Sequence, residues 1–330
     1  MLSVPLHKAL KAKGEVALNL QVVYREAPNY APAGHEVAAK QFILAERGAL
    51  PVHKASGKAL QTAEESDMLT ISNHKLTATF NKKNGMLTTL AVNGRDMIAQ
   101  GLGFVYDNHR WIENDRFTDT SNGLDSVAIV DYKNVGKTVE VTTSRTGSKC
   151  DTKIVYTFHP DGTLDMDVTF NPHADNLRRA GLVCAVDSSL SQVGYYAYGP
   201  HENYVDRMDG VSLGHYATTV PEMVGNYVKP QSSGGREGLR ELILTDSNGK
   251  GIRIQTEGLV SFSILPYTDA DLMNARHLWE LSPRPYNVLH LDAWTRGVGN
   301  ASCGADVDTL PVYRVPNREM SYKLRISPVD

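Results

Sequence analysis

Residues 153–170 read KIVYTFHPDGTLDMDVTF. Ile154, Tyr156 and Phe158 fall two apart, and Leu164, Met166, Val168 and Phe170 do so after them, alternating with Asp165, Asp167 and Thr169. Side chains two apart share one face of a strand, so each half reads as a strand with one apolar face. His159-Pro160-Asp161-Gly162 between them is turn chemistry: proline presets its own φ, Asp caps the turn and Gly tolerates positive φ. The unit is a hairpin, and its pattern recurs along the chain. Val16, Leu18, Leu20 and Val22 alternate with Ala17, Asn19 and Gln21 in Glu15–Tyr24. LTATF (residues 76–80), a KKNG turn and MLTTLAVNG form a second hairpin signal centred on Asn84-Gly85. ELILTDSNGKGIRIQT, LVSFSIL and VLHLDAW repeat the theme. Helical spacing occurs only in DADLMNARHLWEL, where Asp269 offers an N-cap and Leu272, Ala275, Arg276 and Trp279 follow; one or two short helices are expected there. Many strands at regular spacing predict an all-β fold, sandwich or barrel.

Three hundred and thirty residues suffice for two domains, or one large β domain with an appendage. A break falls in residues 46–66, ERGALPVHKASGKALQTAEES, which lacks strand periodicity and holds Pro51 and two glycines. The expected division is 1–50 as a short β segment, 51–65 as linker and 66–330 as a large β domain. The opening segment has too few strands to stand alone, and the chain reads as a fragment of something longer. A formal net charge of −3 with no dense Lys/Arg run argues against a nucleic-acid partner. No apolar run reaches the ~18 residues of a membrane span, so no membrane partner is expected, and the first residues lack a signal-peptide pattern. Cys150, Cys184 and Cys303 form neither a disulfide framework nor a metal spacing. The first two lie in strand-like segments and read as small buried hydrophobes.

Two stretches carry candidate chemistry. GPHENYVDR, residues 199–207, places His201, Glu202, Tyr204, Asp206 and Arg207 within nine positions after a Gly-Pro turn. A sugar site would use such carboxylate, guanidinium and aromatic groups. A structural turn would use the same Glu and Arg to satisfy backbone groups and each other, and on the residues alone that reading is the stronger. GVGNASCGAD, residues 297–306, surrounds Cys303 with Gly297, Gly299 and Gly304. Its glycines permit positive φ or close approach to another surface. RWIENDRF (110–117) reads as a packed, salt-bridged loop, and YVKPQSSGGREGLREL (227–242) as a surface connection. His277 reads as a satisfied core histidine and His35 as a turn residue. GxSxG, P-loop, GxGxxG and HExxH motifs are all missing.

In order and spacing, GPHENYVDR, NYVKPQ, SFSILPYTDADLMNARH and LDAWTRGVGNASCG resemble the C-terminal part of bacterial β-galactosidases of glycoside hydrolase family two. PAGHEVAAKQFIL is similar to the end of their preceding domain, and FNKKNGMLTTLAVNGRDMI to the start of their last one. The resemblance implies a large antiparallel β supersandwich of the galactose mutarotase type, with the last strands of an immunoglobulin-like domain before it. It implies that the acid/base and nucleophile glutamates, and the Mg and Na ions, belong to a catalytic barrel outside this chain. No catalytic residue, metal ligand or cofactor is therefore expected here. Cys303, Ser302 and Asn300 become substrate-adjacent candidates, and His201, Glu202, Asp206 and Arg207 a structural or sugar-contacting turn. Two stretches depart from the family: Ser232 and Ser233 follow Gln231 where an acidic residue and Asn-Gly are common, and Cys303 stands where some members have a tryptophan that stacks on sugar.

The implied function is that of a β-galactosidase part, which shapes the active-site rim and supports assembly but is inactive alone. Its implied partners are the remaining domains of the same polypeptide, a galactoside substrate and a homo-oligomer of the parent, in a bacterial cytoplasm or periplasm. A stand-alone carbohydrate-binding module and a mutarotase-like sugar epimerase remain the alternatives. For the last, His201 and Glu202 are the nearest acid–base candidates, although neighbours on a strand face opposite ways.

Overall fold

The computed structural model describes residues 14–54, 56–113, 115, 117–124, 129–299 and 308–330. The chain divides into two compact units, Met1–Val52 and His53–Asp330. In the first, β1 (Val16–Val23) and β2 (Glu36–Ala45) pair antiparallel. The expected half-buried alternation is only partly realised: Leu20, Val22, Val23, Val37 and Phe42 are exposed. Among the described residues the unit is a two-stranded ribbon, which has no second layer to cover them.

The second unit opens with an antiparallel five-stranded meander of β3 (Gln61–Glu65), β4 (Met68–Ser72), β5 (Leu76–Asn81), β6 (Met86–Val92) and β7 (Arg95–Asp96). Here the sequence reading of 46–66 is corrected, since QTAEE is a strand. It lies at the sheet edge and is mostly exposed, so it needs no apolar alternation. After β8 (Val105–Asp107) come β9 (Ile129–Val135), β10 (Thr138–Arg145), β11 (Cys150–Phe158) and β12 (Leu164–Pro172). Next are β13 (Arg179–Asp187), β14 (Gln192–Gly199), β15 (Ser212–Thr219), β16 (Glu241–Thr245), β17 (Gly251–Glu257) and β18 (Ser261–Leu265). A short helix α1 (Asp269–Asn274), β19 (Tyr286–Thr295) and β20 (Met320–Val329) complete the order.

Nine strands make the main sheet, in the order β15-β14-β16-β17-β20-β12-β11-β10-β9. The 153–170 hairpin lies within it, with Ile154 opposite Val168, Tyr156 opposite Met166 and Phe158 opposite Leu164. Its turn closes through His159 N–H donating to Thr163 O (2.9 Å), with Gly162 at φ +93°. The register carries the same face along the sheet: Tyr322 pairs with Val168, Ile254 with Ile326, Leu242 with Ile254 and Tyr195 with Leu242. All of these are buried.

Two smaller layers cover that face. The four-stranded sheet β18-β19-β13-β8 sets Phe262 against Tyr195 (ring centroids 5.5 Å) and Tyr106 against Phe170 (6.4 Å). The Tyr322 hydroxyl donates to Leu291 O (2.8 Å) across the same gap. From the meander, Phe80 meets Tyr156 (5.1 Å) and Phe158 (5.9 Å) edge-on. Each such ring contributes about 1.5–3 kcal/mol by leaving water. The fold is an all-β antiparallel sandwich; among the described residues α1 and a few 3-10 turns are the helical parts.

Near α1 the sequence reading is corrected twice. Thr268, not Asp269, is the N-cap: its hydroxyl accepts from Asp271 N and its own N–H donates to Asp271 Oδ2 (2.9 Å), a capping box. Asp269 is the first helical residue and points into the protein. His277 is not a core residue. Partly exposed at the start of the Leu278–Glu280 turn, it stacks on the exposed Trp279 (4.1 Å, 9°) and bonds Glu280 (2.9 Å). The helix stops at Asn274, so the apolar spacing of 272–279 never becomes one face. Cys150 and Cys184 are buried thiols outside any disulfide, and burial pushes the Cys184 thiol up.

Candidate functional site

The register of the four-stranded sheet gathers one end of three strands. Arg179 at the start of β13 faces Thr295 near the end of β19, and Gly181 faces Asp107 at the end of β8. Arg179 reaches Asp269 (3.4 Å) and Asp292 (3.7 Å). His290 lies between Asp107 (3.8 Å) and Asp269 (3.7 Å). Ser232 Oγ and Trp111 N donate to Asp269 Oδ1. A second ring of charge backs this one. Arg178 donates to Asp115 O (2.8 Å) and to Arg110 O, Arg110 donates to Arg296 O, and Arg296 pairs with Asp308. Arg296 is fully buried.

Burial pushes Asp107 up and takes Asp292 to about 6, against the pull of Arg179. Glu237 rises to about 8 through burial and the nearby Asp292 charge. Burial would also raise Asp269, but Arg179, His290 and its two hydrogen bonds outweigh it and hold the carboxyl low. The His290 imidazole is kept neutral, first by burial and then by Arg179. A cavity of about 20 Å³ sits among Arg110, Arg179, Tyr204, Glu237 and Asp292. It has room for roughly one water molecule. Asp107, Asp269 and His290 offer three metal-ligand atoms within 4.8 Å of one another. Arg179 already supplies positive charge there, so an ion would stand beside a buried guanidinium.

The 199–207 turn joins this chamber to the surface. Asn203, fully buried, donates from its backbone to Gly235 O (2.9 Å) and from Nδ2 to Tyr198 O and His201 O, while Oδ1 accepts from Glu237 N (2.8 Å). Glu202 turns inward and accepts from Gly234 N (2.9 Å), Arg207 Nη2 (3.0 Å), Tyr204 OH (3.3 Å) and Tyr227 OH. Asp206 accepts from Val298 N (3.0 Å) and Gly299 N (2.7 Å). Tyr204 is buried with the Arg110 guanidinium 4.9 Å from its ring centroid.

Sequence-derived candidates thus separate. Glu202 and Arg207 bond each other, with Glu202 largely buried and Arg207 half exposed. His201 is exposed while Glu202 faces in, so the two are not set as an acid–base pair. Asn300, Ser302 and Cys303 lie outside the described residues. The 227–242 stretch is corrected from a surface connection: Ser232, Ser233 and Arg236 are buried, because Ser232 serves Asp269, Ser233 Oγ accepts from Gly225 N (2.9 Å) and Arg236 bridges to Phe262. Sequence reasoning did not find the chamber of Arg110, Arg179, Glu237, Asp269, His290 and Asp292. Its one local signal was the Arg178-Arg179 pair opening an apolar strand.

Ile112, Tyr204, Arg207, Tyr227, Gln231, Ser232 and Val298 enclose a surface cleft of about 190 Å³. It combines phenol rings, a guanidinium, an amide and a hydroxyl, a donor-rich set with apolar ring faces that suits a polyhydroxylated ligand.

Residues 72–326 match the family model described as beta galactosidase small chain. Similar curated proteins are the β-galactosidases of Priestia megaterium, 26% identical over 314 residues (90% of this chain, 30% of that protein), and Halalkalibacterium halodurans, 28% over 331 residues (92% and 32%). That of Streptococcus thermophilus is 25% identical over 323 residues (92% and 30%). The chain therefore spans about 30% of the length of the curated relatives it matches. Among solved structures, a galactose 1-epimerase from Lactobacillus acidophilus aligns with a TM-score of 0.47 at 8% identity, over 82% of this chain and 98% of that one. A GalM/aldose epimerase homologue from C. elegans aligns with a TM-score of 0.40 at 12% identity, over 82% and 99%.

Proposed function

Since the chain belongs to the β-galactosidase small chain family, we propose that it acts as one part of a larger β-galactosidase that hydrolyses terminal β-galactosides. In this reading the chain forms a rim that contacts the sugar, and the catalytic carboxylates and their metal ions reside in the other domains of the polypeptide. The observation that carries the rim role is the cleft that Tyr204, Arg207, Tyr227, Gln231 and Val298 enclose. The carboxylates beside it are already committed. Glu202 and Asp206 take backbone and phenol donors, and so hold loops rather than standing free as nucleophile or general acid. Glu237 and Asp292 flank a space that admits one water and no sugar ring. That volume counts against an epimerase centre in the chamber.

The test compares this chain with the full-length protein of the same gene on a chromogenic β-galactoside. Turnover is expected from the full-length protein and none from the chain alone. Turnover by the homogeneous chain would overturn the division of labour, and an inert full-length protein would overturn the galactosidase reading. Exchange of galactose anomers by the chain would point to the epimerase alternative instead, and affinity for sugar with no chemistry in either protein to a binding module.

A further inference from the structure

Two glycines in GVG, residues 297–299, have a neighbour in common. A methyl group added to Gly297 would lie 2.5 Å from Asp206 Oδ2 and 2.6 Å from its Cγ; one added to Gly299 would lie 2.9 Å from the same oxygen. Neither glycine has a φ in the left-handed region. Torsional freedom is thus not what these positions require. They require the absence of a side chain, so that the carboxylate can come against the backbone. Once there, Asp206 accepts from two successive amides, Val298 N at 3.0 Å and Gly299 N at 2.7 Å. From the other side Gly297 N donates to Tyr313 O (2.9 Å). Four residues before Asp206 in the same turn, Glu202 holds Gly234 N and the Tyr227 hydroxyl.

We infer that Asp206 is a positioning residue: its carboxylate sets the course of Val298 and Gly299 and so fixes one wall of the cleft. Glu202 holds a second lining residue, Tyr227, and one short turn therefore anchors two parts of the cleft lining. Val298 lines that cleft together with Tyr227, Arg207 and Gln231. A charged acceptor on two adjacent N–H groups is a stronger tether than a neutral one. The identity of the ligand as a saccharide rests on the function proposed above; the tether does not.

The experiment has one arm for each. Amide hydrogen exchange is measured on the whole chain for wild type, Asp206→Ala, Gly297→Ala and the double variant. Asp206→Ala is expected to speed exchange at Val298 and Gly299 at least tenfold while the β11 and β12 amides stay as they are. Gly297→Ala should do the same by driving the carboxylate away, and should add nothing to Asp206→Ala. Unchanged exchange in Asp206→Ala, or an undiminished effect of Gly297→Ala in the double variant, overturns the tether. If Asp206→Ala does not fold, Asp206→Asn serves. With one acceptor left, it should speed exchange at one or both of these amides, and unchanged exchange at both overturns the tether. In the full-length protein, Asp206→Ala is expected to raise KM for the chromogenic galactoside about fivefold or more with kcat changed less than twofold. Faster exchange with an unchanged KM overturns the wall's role in binding. An inert full-length wild type refutes the galactosidase reading and leaves the tether to be judged by exchange alone.

Discussion

Arg207 and Glu202 form an ion pair, yet the pair is not what makes Glu202 matter. The Arg207 side chain is 50% exposed, and a pair so open to water contributes roughly 0–1 kcal/mol. Glu202 also accepts from Gly234 N and two tyrosine hydroxyls, and its side chain is only 15% exposed. Its removal strands partly buried donors. Glu202→Ala should cost about 2–4 kcal/mol and Arg207→Ala under about 1 kcal/mol, read from denaturant midpoints. Equal costs would show that the ion pair holds the turn. A Glu202→Ala midpoint equal to wild type, with sugar affinity lost, would show a contact residue instead. At this scale the sequence displayed the charged residues but not Asn203, since an asparagine in a polar run looks alike whether it is solvated or shut inside.

Within elements, β13 meets β19 with an irregularity between Ala180 and Gly181. A methyl on Gly181 would sit 1.7 Å from Asp292 Oδ1 and 2.9 Å from Asp292 Cα. Rotating the Asp292 side chain cannot relieve a clash that includes its backbone. Gly181→Ala should therefore cost about 3 kcal/mol or more and shift the strand pairing. A melt within a degree or two of wild type would show that the strands can part cheaply. Strands such as Ile154–Phe158 and Leu164–Phe170 were legible because burial of one face imposes a period of two. β3 was not, because an exposed edge strand carries no such imprint. The α1 cap was misplaced by one residue because Thr268 and Asp269 are both cap-forming types, and tertiary demand for the Asp269 carboxylate chose between them. The chamber was illegible for a related reason: Arg110, Arg179, Asp269 and Asp292 come from four segments far apart in the chain, and the sheet register supplies only the Arg179 and Asp292 strands.

For the whole molecule, buried charge makes stability depend on pH. Glu237 titrates near 8 in the folded chain against about 4.5 when solvated, and Asp292 near 6 against 3.8. A raised carboxyl binds more protons folded than unfolded, so stability falls as pH climbs from the solvated value to the folded one. His290, depressed in the fold, works the other way below its solvated value of 6.5. Between pH 4.5 and 6.5 the effects oppose. Between 6.5 and 8 the His290 contribution has levelled off while Glu237 still titrates, and its share of the loss is about 2 kcal/mol. Thermal melts should therefore decline over pH 6.5–8 in wild type and decline less in Glu237→Gln, which carries no charge at any pH. An equal decline in both proteins would rule Glu237 out as the cause.

The order of the nine-stranded sheet also governs how the chain can be made. β20 lies between β17 and β12 and joins four strands on one side to four on the other, yet it follows every other strand in the chain. On the ribosome, β17 and β12 must both emerge with a bare edge and remain so until β20 is synthesised. Each bare edge is a template for another nascent chain. The main sheet is thus closed late, and a message truncated before Met320 leaves two half-sheets whose unfilled edges invite pairing between molecules.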